Sequence, residues 1–130
     1  MKTVISDGGR KEAGFLNERN DCTVRATAMV MGVSYKAAHI KIAKLGRKER
    51  RGFYFSQIAK NIGLEIRLEF ANRTLAKVIP MLTCGRFVVH HRGHVFAVLD
   101  GVVHDMAEPK NRARAKTVYE LKNDLTKTIE

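Results

Sequence analysis

The sequence predicts an α+β fold, with helices in the first half and an antiparallel sheet in the second. Three observations lead there. Apolar residues recur at helical spacing up to about residue 62, and the pattern then changes to strict alternation from Leu64. Asp100-Gly101 also stands between two apolar runs as a two-residue hairpin turn, because a type I′ turn needs positive φ at both central positions.

Taken in order, residues 1–14 show no periodicity, hold three glycines and read as a loose arm. Asn20-Asp21 are good N-cap types for a helix over residues 22–31, which Gly32 ends. Cys22, Ala26, Met29, Val30 and Val33 form its apolar stripe, and Val24 and Ala28 widen it, so this helix is nearly all buried. Ser34 caps a second helix over residues 35–45 that stops at Gly46. Residues 47–52 are a basic loop, and a third, short helix covers residues 55–61 before Gly63.

Leu64-Glu65-Ile66-Arg67-Leu68-Glu69-Phe70 alternates apolar and charged residues, as a half-buried strand does. Residues 74–82 form a short helix whose regularity Pro80 limits. Three antiparallel strands follow over residues 86–91, 94–99 and 102–106. Residues 107–130 are a basic C-terminal tail in which Val118, Tyr119, Leu121 and Leu125 mark a last strand or helix. With no internal repeat or low-complexity tract, residues 1–130 read as a single domain.

The chain has 130 residues, enough to bury a core without disulfide or metal. No apolar run approaches a bilayer span and the start lacks a signal-peptide core, so the expected location is the cytoplasm, with no membrane partner. Cys22 and Cys84 then read as free thiols. The net charge of +11, from 24 Lys and Arg against 13 Asp and Glu, favours encounters with polyanions or acidic proteins. Its densest stretch, residues 41–51, holds six basic groups and one acidic group. Within it Arg47, Lys48, Arg50 and Arg51 are candidates for binding nucleic acid or an acidic partner, with Phe53, Tyr54 and Phe55 beside them to stack on bases. A solvated loop is the ordinary alternative.

One constellation points to specific chemistry. A two-residue turn at Asp100-Gly101 pairs Leu99 with Val102, Val98 with Val103 and Phe96 with Asp105. His94, Phe96 and Asp105 then share a face, with Asp105 the diagonal neighbour of His94 at about 7–8 Å between Cα atoms. His104 falls on the other face. Cys22, in the first turn of its helix, sees free N–H groups and the positive end of the dipole, which favour thiolate. Arg25 adds positive charge, Asp21 opposes it, and a protonated His94 would outweigh both. The ordinary alternatives are a small buried hydrophobe for Cys22, a core hydrogen bond for His94 and a turn-capping carboxylate for Asp105. His90 and His91 are consecutive on a strand and point to opposite faces, so no zinc site and no cofactor are expected.

Three stretches carry a resemblance: Glu18-Arg19-Asn20-Asp21-Cys22-Thr23-Val24-Arg25-Ala26, Gly32-Val33-Ser34-Tyr35-Lys36-Ala37-Ala38-His39 and Gly93-His94-Val95-Phe96-Ala97-Val98-Leu99-Asp100-Gly101. Their order and separation resemble small papain-like proteins related to the bacteriocin-processing (C39-like) cysteine peptidases, many of them phage-encoded. The resemblance spans residues 18–106. It implies a papain-like fold, N-terminal helices packed on the C-terminal sheet, and a Cys22, His94, Asp105 triad. The activity implied is that of a peptidase or isopeptidase, in the host cytoplasm if phage-encoded. Such enzymes usually carry a Gln about six residues before the Cys to hold the oxyanion. Here that position is Leu16; Asn17 and Asn20 are the amides nearby, and Asn17 is the better substitute because Asn20 is a capping residue, with the Cys22 backbone N–H as the second donor. A lost oxyanion donor costs roughly a hundredfold in rate. The alternative is therefore a non-catalytic protein on the same fold that uses its basic surface for binding.

Overall fold

The structure, a computed structural model, describes residues 1–122. It is a mixed α+β fold. Three helices lead: α1 (Cys22–Met31), α2 (Tyr35–Leu45) and α3 (Phe55–Ile62). The strands are β1 (Thr3–Ile5), β2 (Leu64–Ile66), β3 (Arg86–His91), β4 (His94–Leu99), β5 (Val102–Asp105) and β6 (Thr117–Leu121). They form one six-stranded sheet in the order β1-β5-β4-β3-β6-β2. Among the described residues, no helix is long and apolar enough to cross a membrane.

Side-chain alternation along the central strands divides the core into two layers. Val88, Val95 and Tyr119 face α1 to α3, where they meet Val24, Val30, Ile42 and Ile58. Phe87, Val89, Phe96, Val98 and Val118 face the other way. That side is covered by α4 (Leu75–Val78) and the 3-10 turn Ile79–Met81 that continues it, through Leu75, Val78, Ile79 and Leu82. α1 lies in the middle of the first layer, and Val24, Ala26 and Val30 have no exposed surface. Each buried Val contributes roughly 1.5–3 kcal/mol.

Three segments differ from what the sequence pattern suggested, and in a fourth, the tail, the structure takes the strand of the two alternatives. Residues 1–14 are not a loose arm. Thr3–Ile5 pairs in parallel with β5, and Gly8, at φ +70°, lies so close to α1 that a Cβ there would meet Arg25 at 3.3 Å. The sheet is therefore antiparallel except at this edge. The alternating run from Leu64 stays a strand only to Ile66 and then tightens into a 3-10 turn at Leu68–Phe70, with Leu68 exposed and Phe70 buried. The helix expected over residues 74–82 shortens where Pro80 cannot supply an N–H. The tail supplies β6, which is inserted between β3 and β2, so Val118 and Tyr119 are core residues. Leu125 lies outside the described residues.

The hairpin that matters most has the register expected of its turn. Asp100 and Gly101 both have positive φ, +49° and +83°, and Leu99 pairs with Val102, Val98 with Val103 and Ala97 with His104.

Candidate active site

Cys22 is the first residue of α1, and its N-cap, Asp21, makes no capping hydrogen bond with its side chain. The Asp21 carbonyl accepts the Val24 and Arg25 N–H groups at 2.9 and 3.0 Å, which leaves the Cys22 and Thr23 N–H groups at the open end of the helix. His94 is the first residue of β4, beyond the end of the β4–β5 ladder, so its ring lies at the end of the sheet beside Cys22. Asp105 closes β5.

His94 shares a cleft wall with Cys22 and is bonded to Asp105. His94 Nε2 is 2.7 Å from Asp105 Oδ2. An ionised carboxylate can only accept, so Nε2 carries the proton and Nδ1 is the nitrogen left for the thiol. Asp105 Oδ1 accepts from the Met106 N–H at 2.8 Å and from Arg25 Nη1 at 3.1 Å. Burial works to raise the Asp105 carboxyl, but the His94 hydrogen bond and charge, the Met106 N–H and Arg25 hold it below the ordinary range. The hydrogen bond to Asp105, followed by that to Cys22, raises His94 to about 9. Burial would raise the Cys22 thiol. The His94 hydrogen bond, the Val95 N–H and the charges of His94 and Arg25 outweigh it, and the thiol is lowered. A raised imidazole against a lowered thiol favours the imidazolium–thiolate pair. Cys22 and Cys84 are both free thiols.

Asp21 is nearly sealed, and its oxygens are consumed by three donors. Arg10 Nη1 at 3.0 Å and Arg25 Nε at 3.1 Å reach Oδ1, and the Tyr35 hydroxyl donates to Oδ2 at 2.8 Å. Arg25 thus bridges two buried carboxylates, Asp21 at its own i−4 position and Asp105 eighty residues on. The Asp21–Arg25 spacing was visible in the sequence. The link to Asp105 left no local signal.

The two amides before Cys22 are placed differently. Asn17 is exposed and does not line the space around Cys22, whereas Asn20 does. Asn20 takes a positive φ of 52°, and its Nδ2 donates one proton to the Arg50 carbonyl at 3.0 Å, leaving a second N–H. Asn residues in tight turns tolerate that conformation.

The basic loop also divides. Arg47 is buried, and its guanidinium grips Glu18 Oε1 and Oε2 at 2.9 and 3.1 Å, so it is withdrawn from the surface set. Lys48, Arg50 and Arg51 are exposed. Glu18 also accepts the Arg50 N–H at 2.7 Å and faces His39 Nε2 at 2.7 Å. Burial would raise Glu18, but Arg47, His39 and the Arg50 and Arg19 N–H groups hold it down to about 2. Glu18, His39 and Glu49 lie close enough to suggest a metal, yet Arg47 already occupies both Glu18 oxygens and would repel a cation. His91 packs edge-on against the His94 ring at 5.5 Å between centroids, and burial and the His94 charge lower it.

A cleft of about 660 Å³ opens at the thiol. Cys22 and His94 stand in its wall with Phe53, Tyr54, Phe55 and Tyr119. Its size and apolar walls suit a substrate side chain. No family model matches the chain, and neither the curated proteins nor the solved structures include a match.

Proposed function

We propose that this protein is a cysteine hydrolase of papain-like architecture that acts on an acyl bond, of the peptide or isopeptide kind. The observation that carries the reading is the line from Asp105 through His94 to Cys22, with the imidazole raised to about 9 and the thiol lowered. The Cys22 sulfur adds to the carbonyl carbon. The C–N bond then breaks, and the leaving amine takes the proton that His94 held. Water, deprotonated by His94, next attacks the thioester and releases the acid and the thiolate. The oxyanion finds the Cys22 N–H and the free N–H of Asn20, donors that can take the place of the missing Gln. Asp105 keeps the ring oriented with Nδ1 toward the sulfur.

The arrangement of helices on a sheet is compatible with the papain-like resemblance of residues 18–106. The binding-protein alternative is weakened because Arg47 is spent on Glu18.

The test is alkylation of Cys22 by iodoacetamide as a function of pH. The expected midpoint lies well below the ordinary thiol value of about 8.5 and returns toward it in His94→Ala. A wild-type midpoint near 8.5, unmoved by the substitution, would overturn the proposal.

A further inference from the structure

We infer that the cleft selects an acidic peptide segment, with an apolar side chain in the aromatic pocket and neighbouring carboxylates on Arg50 and Arg51. This inference rests on the acyl-hydrolase reading and names its substrate class.

The loop that precedes the pocket brings the charge to it. Gly52 and Phe53 line the space around Cys22 and His94, so Arg50 and Arg51 stand at its rim. Their backbone is fixed from the nucleophile's side. Asn20 Nδ2 holds the Arg50 carbonyl and Glu18 holds the Arg50 N–H, with Arg50 at φ +65°. A buried carboxylate and a buried Arg47 are thus committed to placing this turn beside the residues that lead into Cys22. The side chains it presents are left unused. Among the described residues, Lys48, Arg50 and Arg51 form no ion pair and are exposed.

The pocket beyond the rim is apolar. Phe55 and Tyr119 are buried and pack edge-on at 5.2 Å between centroids, while Tyr54 is 75% exposed. A cation-rimmed aromatic pocket also suits a nucleobase between phosphates. The position of the thiol and imidazole decides between them. They open into the same cleft, and the chemistry they support needs a carbonyl carbon, which a peptide bond brings and a phosphodiester backbone does not.

The probes are biotinylated peptide vinyl sulfones used on the full-length protein. The Cys22 thiolate adds to the β-carbon of the vinyl group, and the α-carbon takes a proton. Four sequences before the warhead are compared: Glu-Glu-Phe-Gly, Lys-Lys-Phe-Gly, Glu-Glu-Gly-Phe and Glu-Glu-Gly-Gly. The expected result is labelling about tenfold faster for Glu-Glu-Phe-Gly or Glu-Glu-Gly-Phe than for the other two. That advantage over the Lys probe shrinks as salt rises toward 1 M and falls to about twofold in the double variant Arg50→Gln, Arg51→Gln. Only the backbone of Arg50 is moored, so these substitutions leave the loop in place.

Equal rates for the Glu and Lys probes, with fast iodoacetamide alkylation of Cys22 retained, would overturn the inference and leave the hydrolase reading standing. Faster labelling by Glu-Glu-Gly-Gly than by the Phe probes would overturn the pocket assignment. If Cys22 alkylates as an ordinary thiol, the hydrolase reading fails. Salt-sensitive binding of fluorescent Glu-Glu-Phe-Gly amide to Cys22→Ala would then still support the docking site. Displacement of that peptide by an equally charged oligonucleotide at lower concentration would overturn it in favour of nucleic acid.

Discussion

Replacing Asp105 by Asn tests the centre of the site without changing its shape. Asn keeps an acceptor oxygen within reach of His94 Nε2 but removes the negative charge. His94 rises by about 2.5 units, from 6.5 to about 9, with the Asp105 hydrogen bond the larger cause and the Cys22 hydrogen bond the next. Asp105 therefore accounts for more than half of the attraction. The His94 side chain is 32% exposed, and solvent screens part of the charge effect. The expected fall is about 1–2 pH units, or about 1.4–2.7 kcal/mol of lost imidazolium stabilisation at 1.36 kcal/mol per unit. At pH 7.5 a group with a pKa of about 9 is about 97% protonated, and one at about 7 is about 24% protonated. The ion pair with Cys22 would then be mostly lost at neutral pH. The assay is an NMR titration of the His94 ring protons, followed by the pH dependence of Cys22 alkylation. Wild type should titrate near 9, and Asp105→Asn near 7 to 8 with the alkylation midpoint displaced upward. A His94 midpoint that moves by less than about 0.3 units would refute the assignment of Asp105 as its main partner.

Two further outcomes follow from the buried charges. Arg25→Met leaves Asp21 without its i+4 partner and Asp105 without its second cation, and a broken buried pair costs about 3–5 kcal/mol. Thermal denaturation should show a melting point lower by at least about 10 °C, with Arg25→Lys recovering only part because one ammonium lacks the fork that spans two carboxylates. A melting point within about 2 °C of wild type would remove Arg25 from its bridging role. For Glu18, whose folded value of about 2 lies below 4.5, the stability it adds is complete above about pH 4.5 and is lost as pH falls toward 2. That shift is worth roughly 3 kcal/mol, so the melting point should fall by about 10 °C across this window. In Glu18→Gln the remaining acid dependence should be shallower by that amount; an unchanged slope would refute it.

How much of this was legible follows from the range of each interaction. The α1, α2 and central-strand boundaries rest on local signals, such as Ser34 accepting from the Ala37 N–H and Gly32 ending α1 in the left-handed region. The relation of His94 to Asp105 was legible because one two-residue turn separates their strands and sets the register. Residues 1–14 were misread, and the tail was left between strand and helix, for the opposite reason. Thr3–Ile5 and Thr117–Leu121 are strands only because distant segments supply their partners, β5 in one case and β3 with β2 in the other. Three and five residues carry too little periodicity to announce a strand alone. Arg47 was misread because a basic run looks the same whether its members face water or a buried Glu.

The carboxylates just before Cys22 make the same point about charge. Asp21 adjoins Cys22 and Glu18 lies four residues back, an arrangement that, read locally, should hold the thiol protonated. Both are instead matched by partners that, Arg25 apart, are distant in sequence. Glu18 meets Arg47 and His39, and Asp21 meets Arg10, Arg25 and Tyr35. Their fields are spent on fixing the loop and the helix start, and the charges left acting on Cys22 are those of His94 and Arg25, both positive. The N-terminal segment takes part directly, because Arg10 comes from the residues that look unstructured in the sequence. The Arg10–Asp21 contact thus ties the segment that follows β1, paired on β5, to the start of α1 beside Cys22.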